Sequence, residues 1–291
     1  LSKETQGDTE RVIGSWIAAS KRRDDIIIAT KVSGEGYANV RDGAPISRDT
    51  ITVALENSLR SMQTNYIDLY QLHWPNRGSY MFRKNWTYDP TGQNKDETLD
   101  HMAEVLSCLE DMRKQGKIRH FGLSNESCWG TAQWLRLADE QDLPRVVSIQ
   151  NEYSLLCRLF DTDLAELCHN EQVGLLAFSP LACGLLSGKY GGGTTTPPGS
   201  RMSIISDLGG RITPRVWPAV DAYLAIARKY EIDPVQLAIA WTLTRSFMAS
   251  SIIGAKSLDQ LTTALGSVEI ELSEAILADI DLAHRAHPMP Y

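Results

Sequence analysis

A chain of 291 residues with 43% hydrophobic side chains is long enough to bury a large core within one domain. Its net charge of -7 argues against a broad nucleic-acid or anionic-membrane surface, because both need a basic face. The five cysteines show no Cys-x-x-Cys spacing, which predicts neither a disulfide framework nor a zinc site. No apolar run approaches the roughly 20 residues of a membrane span, and the chain begins with polar residues where a signal peptide would be apolar. We therefore expect a globular, cytoplasmic protein with no bound metal.

Helical and strand-like segments alternate along the chain. Residues 9–22 place apolar side chains at helical spacing, and 26–32 (IIIATKV) is a β-branched run typical of a buried parallel strand. The alternation continues with helix 50–62, strand 67–75, helix 99–115 (stopped by Gly116), strand 118–125, helix 128–141, strand 146–153, helix 161–170, strand 174–182, helices 214–230 and 234–245, strand 250–255, and helices 258–265 and 273–283.

Six strands that alternate with helices fit either a doubly wound open sheet or a barrel. The sequence lacks the Gly-x-Gly-x-x-Gly turn of a dinucleotide-binding open sheet, and this favours the barrel. A (β/α)8 barrel needs eight strands, whereas this chain opens on a helix, so we expect a strand, a helix and a strand, on the order of 50 residues, upstream of Leu1. The prediction is an α/β protein with one (β/α)8 TIM-barrel domain over 1–291 that is incomplete at its N-terminus.

Polar side chains recur where the predicted strands end. Lys31, His73, Ser124, Asn125 and Gln150 lie at or near the carboxyl ends of four strands, which in a barrel face the mouth where such folds place their chemistry. A lysine and a histidine can orient and polarise a carbonyl, and hydroxyl and amide groups can hold another amide. Any one of these residues could instead satisfy a loop, but that explanation accounts less well for their recurrence on successive strands.

Several segments together resemble a known family. They are ATKV around Lys31, YIDLYQLHWP around His73, GKIRHFGLSN ending at Asn125, IQNEYSLL around Gln150, FSPLACGLLSGKY and IIGAKSLDQL. The chain resembles the aldo-keto reductases, and within them the branch that holds the Tas-type bacterial reductases and the β-subunits of voltage-gated potassium channels. The resemblance implies a (β/α)8 barrel that binds NADPH in an extended form and reduces aldehydes or ketones to alcohols.

The resemblance also implies a role for each site residue. Lys31 matches the lysine that lowers the pKa of a proton-donating tyrosine, and His73 matches the histidine that hydrogen-bonds the substrate carbonyl. The family's catalytic aspartate and tyrosine would lie in the segment expected upstream. Phe178 falls where an aromatic ring stacks on the nicotinamide, with Tyr153 as the alternative. The implied cofactor contacts are Ser124, Asn125, Gln150, Phe178, Ser179, Leu181, Cys183, Lys189, Arg201, Gly254, Lys256, Ser257 and Gln260.

The expected cofactor is NADP rather than NAD. Lys256 and Ser257 precede a predicted helix, so a cation, a hydroxyl and a helix N-terminus converge on a point that suits a 2′-phosphate. Ser200 beside Arg201 matches a pair that reaches over the cofactor in the family.

The expected partner is a small-molecule carbonyl, with no nucleic acid, no membrane and possible homo-oligomers. The insertion 76–97 carries Tyr80, Phe82, Trp86 and Tyr88, and aromatic walls suggest an apolar or aromatic substrate. The alternative is that these rings pack the insertion onto the barrel rim. A second function also stays open, because the resemblance to channel β-subunits permits a cofactor-binding regulatory subunit that senses redox state.

Overall fold

The computed structural model describes residues 4–291, and this part of the chain forms two compact units. The first unit ends at Ile149, and the second is Gln150–Tyr291. The elements of the first unit are α1 (Asp8–Ser20), β1 (Ala29–Val32), α2 (Arg48–Ser61), β2 (Ile67–Leu72), α3 (Lys95–Lys114), β3 (Ile118–Ser124), α4 (Cys128–Glu140) and the start of β4 (Ser148–Gln150).

The strands of the first unit are parallel. β1 pairs with β2 and β2 with β3, in a register that aligns Lys31 with Gln71 and Gln71 with Gly122. Parallel strands end at the same edge of a sheet, so the residues that follow β1, β2 and β3 meet there.

Local sequence sets the helix boundaries in this unit. Ser47 caps α2 in a capping box with Thr50, and the side chain of Asn94 accepts hydrogen bonds from two backbone N–H groups at the start of α3. Gly116 follows the last turn of α3 at a φ of 72°, a left-handed conformation that glycine adopts without strain. The helix stop predicted at Gly116 is therefore confirmed.

The second unit contains α5 (Leu164–Glu171), β5 (Gly174–Ala177), α6 (Arg201–Ile204), α7 (Val216–Lys229), α8 (Pro234–Leu243), β6 (Met248–Ser251), α9 (Leu258–Leu265) and α10 (Glu274–Ala286). β5 pairs in parallel with β6. Within the first unit the strand order is β1-β2-β3, and within the second unit β5 lies beside β6. The short helix α6 was not predicted from the sequence.

An aromatic cluster fills part of the core of the second unit. Tyr153 stacks on Trp241 with ring centroids 5.2 Å apart, and Phe160 and Phe247 pack around them. Such offset ring pairs stabilise a core beyond the area that they bury.

The C-terminal residue packs inside the second unit through a polar network. The guanidinium of Arg211 donates to Glu152 at 2.8 Å, and the hydroxyl of Tyr291 donates to the same carboxylate at 3.1 Å. Arg211 and Tyr291 are buried, and the side chain of Glu152 is only 9% exposed. A carboxylate in such a setting depends on its cation, because a buried charge without a partner is strongly destabilising.

The observed strands are shorter than predicted. For β1 the cause is a side chain from another strand. The N–H of Ile28 donates to the carboxylate of Asp68, so the ladder of β1 begins only at Ala29. β4 is limited to Ser148–Gln150, and the chain beyond it makes isolated bridges, one of them a parallel bridge between Glu152 and Phe178.

The predicted α/β class is confirmed, with six parallel strands and intervening helices among residues 4–291. This arrangement is consistent with a (β/α)8 barrel. The assignment of one domain to residues 1–291 stays a prediction. Within 4–291, no helix combines the length and the apolar character needed to cross a bilayer.

Candidate active site

Lys31 and His73 lie side by side at the carboxyl ends of β1 and β2. His73 follows β2 directly, and its backbone N–H donates to the carbonyl of Val32 at 2.9 Å. Burial, and secondarily the charge of Lys31, lowers the pKa of His73 to about 4. Burial also lowers the pKa of Lys31 from its ordinary value. At neutral pH the imidazole is therefore uncharged, with one ring N–H to donate and one nitrogen to accept.

An aromatic surface adjoins His73. The ring of Trp74 lies 4.6 Å from the imidazole, and Phe82, from the insertion 76–97, packs edge-on against Trp74 at 6.1 Å. The indole N–H of Trp74 donates to the carbonyl of Glu35, which fixes the ring. Phe82 remains partly exposed. Of the four aromatic residues that the sequence analysis singled out in the insertion, Phe82 therefore packs next to the aromatic surface beside His73.

Tyr80 and Tyr88, two further aromatic residues of the insertion, pack against each other. The rings of Tyr80 and Tyr88 meet edge-on at 6.1 Å, and the hydroxyl of Tyr88 accepts a hydrogen bond from Gln93. These contacts are of the loop-packing kind that was the alternative to substrate contact.

Asn125 follows β3 in a left-handed backbone conformation, with a φ of 53°, and is only 2% exposed. Its amide nitrogen donates to the carbonyl of His73 at 3.0 Å and to the hydroxyl of Ser124 at 3.1 Å. Its side-chain oxygen is buried and has no hydrogen-bond partner within residues 4–291. An unsatisfied buried acceptor is costly, and the amide N–H of a nicotinamide carboxamide is a donor that would satisfy it. The Ser124–Asn125 pair therefore fits the cofactor group that the family resemblance implies for it.

Gln71 is a polar residue of this region that the sequence analysis missed. It lies two positions before His73 on the same strand, is 0% exposed, and has no partner among the described residues for either atom of its amide. It is also the register partner of Lys31. The alternation of a strand places residues i and i+2 on the same face, and this was the signal that could have identified it.

In the second unit, Gln150 ends β4 and Phe178 follows β5. The N–H of Phe178 donates to the carbonyl of Asn151 at 3.1 Å, so the two strand ends run side by side. Tyr153, the alternative to Phe178, is fully buried with its hydroxyl donating to Asp161 at 2.6 Å. Its ring belongs to the core, which leaves Phe178 as the candidate for nicotinamide stacking.

The predicted pyrophosphate loop is a tight turn with a lysine folded over it. Ser179, Ala182 and Cys183 have positive φ values of 55°, 47° and 58°. The ammonium of Lys189 lies 2.7 Å from the position that a Cβ on Gly184 would occupy. The structure thus places a positive charge against the turn that follows Leu181, as an anion-binding loop requires.

Three predicted phosphate-binding residues meet at the start of α9. Ser257 caps this helix by accepting from the N–H of Gln260, and the side chain of Gln260 accepts from the N–H of Lys256. The ammonium of Lys256 donates to the carbonyl of Gly199 at 2.7 Å, one residue before Ser200, whose hydroxyl is buried without a partner in the described structure. A cation and a capped helix N-terminus at one point fit an anion. Arg201 begins α6 next to this point in the sequence, and Gly254 has open space around it.

The sequence pattern described as the aldo/keto reductase family matches residues 5–285. Protein tas of Escherichia coli (strain K12) is 42% identical over 293 aligned positions, which cover 99% of this chain and 82% of that protein. An aldo-keto reductase of Babesia bovis is 36% identical over 250 positions, covering 81% of this chain and 87% of that protein. The uncharacterized oxidoreductase YrpG of Bacillus subtilis (strain 168) is 29% identical, covering 93% of this chain and 76% of that protein.

These matches define the class, an oxidoreductase that acts on carbonyls. The chain belongs to the aldo/keto reductase family. The resemblance inferred from the sequence motifs is confirmed.

Proposed function

We propose that this protein reduces aldehydes or ketones to alcohols with NADPH. The observation that supports this most directly is the half-buried, uncharged imidazole of His73 beside Lys31. When bound, NADPH would supply the hydride. The proposed role of His73 is to donate its ring N–H to the carbonyl oxygen and so orient the carbonyl. The cation of Lys31 would favour the negative charge that develops on that oxygen or on the phenolate of a proton donor.

We further propose that Ser124 and Asn125 hold the nicotinamide carboxamide, because the N–H of the carboxamide can donate to the buried side-chain oxygen of Asn125. In the second unit, Lys256 and Ser257 are the proposed contacts of the 2′-phosphate, which favours NADP over NAD. The remaining proposed cofactor contacts are Gln150, Phe178, Ser179, Leu181, Cys183, Lys189, Arg201, Gly254 and Gln260.

The proposed substrate is an apolar or aromatic carbonyl. Trp74 and Phe82 form an aromatic surface against His73, and such surfaces favour ligands of matching polarity. We propose that the chain acts as one barrel domain on small molecules in the cytoplasm.

The test is oxidation of NADPH by the purified protein with a panel of aromatic and aliphatic aldehydes, followed by the absorbance of the reduced nicotinamide. Consumption that requires a carbonyl supports the proposal. His73→Ala should lower turnover about 100-fold, the typical contribution of a positioned hydrogen-bond donor, while NADPH affinity stays nearly unchanged.

His120→Ala, at an exposed position on β3, is the matched control and should keep full turnover. A protein that binds NADPH but oxidises it with none of the carbonyls in the panel would contradict the proposed reductase and would favour the regulatory alternative.

A further inference from the structure

The insertion 76–97 is attached to the turn that carries Asn125. Ser79, which is 6% exposed, donates its hydroxyl to the backbone carbonyl of Asn125 at 2.7 Å. Arg77 donates to both oxygens of Glu126, at 2.5 and 3.1 Å, and to the hydroxyl of Ser127 at 3.2 Å. The insertion therefore contacts three consecutive residues of the β3–α4 turn through side chains of its own.

The contact at Glu126 is a rigid anchor. In the Arg77–Glu126 ion pair, the Glu126 side chain is 2% exposed and the Arg77 side chain 9%. The carboxylate also accepts from the N–H of Ser127 and the indole N–H of Trp134. A Cβ added to Gly130 would lie 2.2 Å from the Arg77 guanidinium, so the first turn of α4 packs closely around the pair. Because breaking a buried ion pair is strongly destabilising, the base of the insertion is held in one position.

The contact at Asn125 acts on an unusual backbone. A left-handed conformation is uncommon for residues other than glycine. Asparagine tolerates it better than most residues, and contacts from the surroundings hold it in place. Ser79 holds the carbonyl of Asn125 from one side, while His73 and Ser124 accept from its amide nitrogen on the other. With its backbone and its amide nitrogen fixed, the direction of the remaining side-chain oxygen is fixed as well.

We infer that Ser79 is a positioning residue for the cofactor: by holding the left-handed backbone of Asn125, it aims the amide oxygen of Asn125 at the nicotinamide carboxamide. This inference rests on the proposed function, since it assigns the nicotinamide to Asn125. The same insertion carries Phe82, which packs on Trp74 beside His73. One loop thus shapes the carbonyl side of the site and holds the residue proposed to grip the nicotinamide.

The test compares two ligands with Ser79→Ala. NADPH contains the nicotinamide, whereas adenosine 2′,5′-bisphosphate carries the adenine end and its phosphates without it. Loss of the neutral hydrogen bond to the carbonyl of Asn125 should weaken NADPH about 3- to 10-fold, measured by quenching of tryptophan fluorescence, and leave the bisphosphate unchanged in a competition assay. Ser79→Thr keeps the hydroxyl and should restore NADPH affinity.

Ser58→Ala is the matched control, because Ser58 is also a buried serine that donates one side-chain hydrogen bond, to Glu10 at 2.7 Å. It should leave both affinities unchanged. Unchanged NADPH affinity in Ser79→Ala overturns the inference, and so does an equal loss for both ligands, which would mark a general loss of structure. If the wild-type protein binds NADPH no more tightly than the bisphosphate, the assignment of Asn125 to the nicotinamide is wrong. That outcome contradicts the proposed function itself and is distinct from a failure of the inference about Ser79.

Discussion

Replacing His73 with glutamine should reduce the loss of stability that acid causes. The pKa of His73 is about 4 in the folded protein, because of burial and then the charge of Lys31, whereas an unperturbed histidine titrates near 6.5. Between these two values the unfolded chain binds a proton at His73 that the folded protein does not bind. The contribution of His73 to stability is therefore fully present above the unfolded value and is lost as the pH falls toward the folded one.

The size of this effect follows from the gap between the two pKa values. A difference of about 2.5 units at 1.36 kcal/mol per unit gives a total loss of about 3 kcal/mol, of which about 2 kcal/mol falls between pH 7 and pH 5. Urea unfolding followed by tryptophan fluorescence at both pH values measures it. Over this interval the free energy of unfolding of His73→Gln should fall by about 2 kcal/mol less than that of the wild type.

His120→Gln controls for the removal of a histidine as such, since that side chain is exposed on β3. If the wild type and His73→Gln lose the same stability between the two pH values, the imidazole is not held neutral in the folded protein. That result would contradict the proposal of a neutral imidazole as hydrogen-bond donor, because His73 would then be a cation next to the cation of Lys31.

Three further substitutions test separate parts of the structure. Lys256→Ala should weaken NADPH by about 1.5 to 3 kcal/mol and NADH far less, because only NADPH has the 2′-phosphate, and equal losses by fluorescence titration would contradict the assignment. Gly34→Ala should lower the free energy of unfolding by about 1 to 3 kcal/mol, since the new Cβ would lie 2.3 Å from the ring of Trp74; an unchanged urea midpoint would show that this ring can move. Arg211→Met should destabilise the protein by about 3 kcal/mol or more, as it leaves the buried Glu152 without its cation, and a smaller loss in Arg211→Lys would identify charge as the cause.

The strands could be found from the sequence because their signal is local. A β-branched run such as 26–32 indicates a buried strand whatever lies beside it, and each predicted strand has a counterpart in the described structure. Their ends could not be found in the same way. The N–H of Ile28 leaves the ladder because the carboxylate of Asp68, 40 positions away, accepts it. Such a choice of partner is decided by the tertiary structure.

The same distinction separates the site residues that were predicted from those that were missed. Lys31 and His73 were predicted because each lies at or near the carboxyl end of a recognisable strand, and such a position can be read from the chain. Ser79 lies in an irregular insertion, where nothing local distinguishes a hydroxyl that binds Asn125 from one that faces solvent. Gln71 was missed although its alternation with His73 along the same strand was visible in the sequence.

Asn125 shows why one position can meet several physical demands at once. Its backbone must be left-handed, which asparagine tolerates better than most residues, and its side chain must both donate and accept. The two donor bonds, to His73 and Ser124, use the amide nitrogen and leave the oxygen for a ligand. Aspartate would share the backbone tolerance but could not donate to the carbonyl of His73, and serine has no second polar atom to offer. Only an amide on a short side chain keeps the β2 and β3 strand ends joined while presenting an acceptor, and this links the geometry of His73 to the proposed grip on the nicotinamide.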